Sequence, residues 1–217
     1  MNKLKTYLLK QENTPLIAVG ILYLFHFTAI IGSGLGFQDW FISKTPLNLA
    51  LIGLLLVLSF PIKTKKGFLL FFSYAAFGIL VEFLGVNYGL LFGEYAYGEN
   101  LGPKIGGVPW SIGLNWALLV MITGELSNRF KLHKILKAIV AALLMVFLDL
   151  FMEYSAPTFD FWEFSGGIAP FSNYTAWFFV ALLLQLIHQY SKLAGNYFFS
   201  LHCYLAQLIF FIFFFLK

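Results

Sequence analysis

The chain has 217 residues, 60% hydrophobic and 20% aromatic, with only 11% charged, against roughly 25% charged in an ordinary soluble domain. That balance argues against a soluble globule, and the net charge of +4 is spread over connecting segments rather than gathered on one face, which sets nucleic acid aside. The single cysteine, Cys203, leaves no intramolecular disulfide, cysteine-rich metal site or dithiol redox pair.

The apolar residues come in blocks of about 15 to 21, the length that crosses a hydrocarbon layer of about 30 Å. The first, Pro15 to Gly32, follows Lys3, Lys5 and Lys10 and lacks a clear cleavage site, so it reads as a retained signal-anchor helix. The others are Leu47 to Pro61, which is short, Gly67 to Val86, Val108 to Glu125, Ile135 to Phe151, Asn173 to Tyr190 and Asn196 to Leu216. The expected fold is therefore all-α: one polytopic membrane helical bundle over residues 1–217, with about seven transmembrane helices and no room for a separate soluble domain.

Counted by alternate connections, Lys and Arg fall eleven to three. This places the N-terminus in the cytoplasm and the C-terminus outside, in a cytoplasmic membrane. The acids lean the other way: eight of ten, and all five tryptophans, map to the outer side. An interfacial belt explains aromatics at both faces, whereas here the inner face has no Trp.

Two outer connections are candidates for function, residues 87–107 and 152–172. The first, NYGLLFGEYAYGENLGPKIGG, is rich in Gly and carries Glu94, Tyr95, Tyr97 and Glu99; glycine at that density predicts a tightly folded re-entrant or capping segment rather than a helix. Glu82 falls about a turn inside the third span, and an acid there is expensive unless it faces protein or water. Asp149 ends the fifth span and Glu153 follows four residues later, so on a continuous helix both share one face. Two carboxyls at that range resist ionising together, which sets an acid beside a base.

Several chemistries are excluded. Ala138 to Ser191 holds no Lys or Arg, which decides against a prenyl diphosphate site. The four histidines, His26, His133, His188 and His202, fall short of the about eight that a membrane di-iron hydroxylase needs. No Walker loop or HExxH motif occurs, and no metal site is expected.

The run GILVEFLGVNYGLLFGEYAYGENLGPKIGGVPW (Gly78 to Trp110), then FLDLFME (Phe147 to Glu153), then GGIAPFSNYTAW (Gly166 to Trp177), resembles the membrane carotenoid biosynthesis family that includes carotenoid 1,2-hydratases of the bisanhydrobacterioruberin hydratase type. The likeness covers roughly residues 67–190. It departs at Glu153-Tyr154, in place of Asp-Pro, and at Gly113, in place of Pro. The resemblance implies cofactor-free hydration of the terminal C1=C2 bond of an acyclic carotenoid end, giving a tertiary alcohol. It also implies a carotenoid in the bilayer, water and other carotenoid enzymes as partners. Such chemistry needs a buried acid, a base for water and aromatic faces for a cation. Glu82, Asp149 and Glu153, then Glu94, are the candidate acids and bases; Asn173 and Tyr95 or Tyr97 would hold water, and Trp110, Trp162 and Trp177 would line the end-group pocket. A proton-initiated lycopene-type cyclase, or a carotenoid-binding or transport protein, fits the same residues.

Overall fold

The computed structural model describes residues 2–217, with side chains described from residue 14 onward. Its long helices are α1 (Asn2–Gly34), α3 (Thr45–Ser59), α4 (Lys65–Tyr88), α5 (Trp110–Asn128), α6 (Lys134–Ser155), α7 (Phe171–Ser191) and α8 (Tyr197–Leu216), and a short α2 (Gln38–Ile42) follows α1. Five of them, α1 from Thr14 onward together with α4, α6, α7 and α8, are long and apolar enough to cross a membrane. Five of the seven expected spans fall on these helices, while the other two, Leu47 to Pro61 and Val108 to Glu125, fall on helices of another kind, so the count of seven transmembrane helices is not reached. With 15 residues, α3 reaches only about 22 Å. The other, α5, is long enough but carries Ser111, Asn115, Thr123, Glu125 and Ser127.

Burial explains α5. Sixteen of its nineteen residues are buried, because α3, α4, α6, α7 and α8 all pack around it. A helix shielded from lipid by protein can carry polar side chains, provided they find partners. Gln185 Nε2 on α7 donates to Val120 O at 3.0 Å and Thr123 Oγ1 at 2.8 Å, and Gln189 Nε2 donates to Gly124 O at 3.1 Å and Ser127 Oγ at 3.0 Å. Two glycines let α4 and α5 approach closely: a Cβ at Gly113 would stand 2.8 Å from Ala75 O, and one at Gly78 would stand 2.6 Å from Trp116 Cβ.

A cap closes the end of the bundle from which α4 and α6 emerge. Strand β1 (Tyr95–Tyr97) pairs antiparallel with β4 (Trp162–Phe164), in register Tyr95 with Phe164, Ala96 with Glu163 and Tyr97 with Trp162. The period of two sorts the side chains: Ala96 and Glu163 are exposed, while Tyr97, Trp162 and Phe164 are buried toward the helices. A second pair, β2 (Lys104–Ile105) with β3 (Val108–Pro109), turns the chain into α5. Further bonds stitch the two connections together: Gly98 N donates to Phe161 O at 2.9 Å, Glu99 N to Asp160 Oδ2 at 2.8 Å, Asn100 Nδ2 to Phe159 O at 2.9 Å and Ser165 N to Glu94 O at 2.9 Å.

Candidate active site

Under this cap, α4 presents Gly78, Glu82 and Gly85 along one face, at the i, i+4, i+7 spacing. The glycines make room for the rings that grip the acid. The space over Gly78 is filled by the Trp116 indole and that over Gly85 by Tyr95 and Phe92. Glu82, 3% exposed, accepts from Trp116 Nε1 at 2.9 Å on one oxygen, and from Tyr95 Oη at 2.5 Å and Tyr97 Oη at 2.7 Å on the other. Burial, with the Glu82 carboxyl beside them, pushes both phenols well above their ordinary value, so they remain O–H donors.

The second acid comes from α6. Glu153 accepts from Trp162 Nε1 at 2.8 Å and from Asn173 Nδ2 at 2.8 Å, one donor on each oxygen. Asn173 opens α7, so cap, α6 and α7 converge on this carboxyl. Asp149, one turn away on the same helix, is 1% exposed and neither of its oxygens has a hydrogen-bond partner; it lies within electrostatic reach of both Glu153 and Glu82. Such an orphaned buried carboxyl is costly, and its presence asks for an explanation.

Glu82 and Glu153 face a common cavity of about 20 Å³, walled also by Tyr95, Tyr97, Asn115 and Asn173 and by the rings of Trp116, Trp162 and Trp177. That is room for about one water, which needs at least ~10–15 Å³ and two to four polar partners. Trp116 and Trp177 stack 4.0 Å apart at 14° and hold that wall rigid. No Lys, Arg or His stands among the described residues lining the cavity. Nor, among the described residues, do three His, Cys, Asp or Glu converge to hold a metal ion.

Of the ten residues singled out from the sequence, the structure brings Glu82, Tyr95, Tyr97, Glu153, Trp162, Asn173 and Trp177 to this cavity, with Asp149 behind it. Glu94 is exposed, with Ser165 Oγ 3.5 Å from its carboxylate, and Trp110 is 37% exposed outside the cavity. Sequence reasoning missed Trp116 and Asn115; the signal was an Asn-Trp pair inside an otherwise apolar run. Behind the wall of Ile112, Asn115, Met152 and Trp162, which faces both, lies a second and much larger cavity of about 630 Å³.

Comparison with known proteins places the chain. A carotenoid biosynthesis protein family profile matches residues 46–216. Bisanhydrobacterioruberin hydratase of Haloarcula japonica is 30% identical over 142 residues, covering 58% of this chain and 46% of that protein, so the chain spans about half the length of this curated relative. No solved structure matches. The matched stretch contains Glu82, Asp149 and Glu153, the cap and every helix that holds them, and the chain belongs to the carotenoid biosynthesis protein family.

Proposed function

We propose that this membrane protein is a carotenoid hydratase, adding water across the terminal C1=C2 bond of an acyclic carotenoid end without a cofactor. The observation that carries the reading is a water-sized cavity walled by two carboxyls and by indole and phenol rings, with no cationic side chain among its described residues. The likeness to a hydratase supports the same reaction class.

The donors sort the acids. Glu82 and Glu153 accept hydrogen bonds on both oxygens, the arrangement of an acceptor. Asp149 receives none and is the member that carries the proton, which a water relays to Glu153 and Glu153 delivers to C2 of the substrate. The tertiary cation left at C1 meets the faces of Trp162 and Trp177 and the Glu82 carboxylate. Water held by Glu82 and Asn173 attacks C1 and gives up its proton to the carboxyl cluster, which restores the acid. One hydrogen ends on C2 and one hydroxyl on C1. Glu94 and Trp110 have no part in this scheme, and the basic-residue count supports a site toward the outer face of the membrane.

The test is expression in a host that makes lycopene, followed by mass analysis of extracted pigments. A gain of about 18 Da per reacting end is expected, since the reaction adds one proton and one hydroxide. Unchanged mass with a shifted chromophore would replace the reading with cyclisation, and unaltered pigment that co-purifies would make the chain a binding protein.

A further inference from the structure

The larger cavity lies on the side of α5 away from α4, among α1, α2, α3 and α8. Its volume of about 630 Å³ falls within the ~300–1,000 Å³ of small-molecule sites. Its depth is apolar, with Ile52 and Leu49 of α3 and Phe211 of α8 buried in the wall. Several polar side chains line it as well, and four are tied to nearby backbone: His26 Nδ1 lies 2.8 Å from Leu22 O, Gln207 Nε2 donates to Cys203 O at 3.1 Å, Thr28 Oγ1 to Leu24 O at 2.6 Å and Thr45 Oγ1 to Ile42 O at 2.7 Å, while the buried Asn48 Oδ1 has no partner. The charge of Lys44 stays at the rim, 5.5 Å from the Trp40 ring centroid.

The cavity is open on its flank. Leu24 and Phe25 of α1, Trp40 of α2 and Leu47 of α3 all line it and are all exposed. In a bundle embedded in lipid, exposed Leu and Phe on the flank of membrane-length α1 face hydrocarbon rather than water. At its inner end the cavity abuts the carboxyl site, sharing Ile112, Asn115, Met152 and Trp162 with it. It is thus an apolar passage that leads from the bilayer to the wall it shares with a water-sized acidic chamber, and the cap covers the other approach.

We infer that this passage takes the polyene of an acyclic carotenoid, which enters sideways from the bilayer between α1 and α3. Its terminal double bond meets the carboxyl chamber at the wall of Ile112, Asn115, Met152 and Trp162. The inference rests on the proposed function for the identity of its occupant. The wall shared with the acidic chamber is what selects a polyene with a reactive end over the acyl chain of a phospholipid. The passage also separates the two reactants, the hydrocarbon arriving through lipid and the water resting among polar side chains. The α1 and α2 walls lie before residue 46, outside the matched family stretch.

The test reads binding rather than turnover. In a Glu82→Gln background, which removes the reaction, the detergent-purified protein is assayed for lycopene retained per mole. Adding Ala29→Trp, which fills the passage from α1, should lower retained pigment about tenfold or more; Leu49→Phe, which narrows it from α3, should act in the same direction and serves if the first variant does not fold. Leu183→Trp, on an exposed part of α7, should leave retention unchanged. Equal retention in the Ala29→Trp and parent proteins, or phospholipid bound in place of pigment in the parent, would overturn the inference. Pigment lost in Ala29→Trp but not hydrated by the wild type would leave the passage standing and remove the hydratase reading instead.

Discussion

The grip on Glu82 depends on a missing side chain. In Gly78→Ala the new Cβ would stand 2.6 Å from Trp116 Cβ and Cγ, against about 3.5–4.0 Å for carbon atoms at ordinary contact, so the indole must move by about 1 Å. It has little freedom to do so, since its far face is stacked on Trp177 at 4.0 Å. The expected cost in stability is about 1–3 kcal/mol, typical of overpacking a close-packed site. A shift of that size also breaks the 2.9 Å bond from Trp116 Nε1 to Glu82. A hydrogen bond to a charged group contributes about 1.5–3 kcal/mol, so hydration should fall roughly 10- to 150-fold. The assay is hydrated pigment formed per mole of purified protein, with the thermal midpoint measured in the same detergent. Gly20→Ala, where nothing lies within 4 Å of the added carbon, is the control, and should be neutral or stabilising by up to about 1 kcal/mol. Full turnover and an unchanged midpoint in Gly78→Ala would refute the reasoning, as would an equal loss in Gly20→Ala.

Two further outcomes follow from the same geometry. Tyr95 and Tyr97 are pushed above the ordinary phenol value of about 10. The stability they contribute is therefore full below about pH 10 and lost as pH rises above it. Tyrosinate absorbance near that pH should have the same amplitude in the wild type and in Tyr95→Phe/Tyr97→Phe; a wild-type excess equal to two phenols would contradict the burial argument. Glu94→Gln and Trp110→Phe, which alter groups outside the cavity, should hydrate at close to the wild-type rate, whereas Glu82→Gln should lose about 10²- to 10⁴-fold. An inactive Glu94→Gln, or an active Glu82→Gln, would move the chemistry elsewhere.

The limits of the sequence show best at particular residues. Glu82 was legible because a carboxyl deep in an apolar run has few inexpensive places to be, and the Asp149 to Glu153 spacing put both on one face as soon as α6 continued through them. Glu94 carried the same signals, an acid among glycines and tyrosines, yet it points outward. In a strand alternate side chains leave by opposite faces, and Glu94 belongs to a tight connection whose path is set by pairing with residues about 70 positions away. The alternation in Tyr-Ala-Tyr and Trp-Glu-Phe was present in the chain, but three residues are too few to announce a strand without the partner that completes it.

The sequence by itself determined the membrane-bound all-α class, the positions of the long helices and the gathering of acids and aromatics at one end. These follow from composition and from helix length against bilayer thickness, which are local properties of a segment. Tertiary structure alone decided that α5 is the enclosed helix rather than a lipid-facing span, that Trp116 completes the grip on Glu82, and that α1, α2, α3 and α8 line a large cavity. Each depends on which face of a helix meets which neighbour. In apolar segments with so little amphipathic contrast, that choice is made by the close approach at Gly78 and Gly113 and by the strand pairing of the cap, not by the pattern of any one segment.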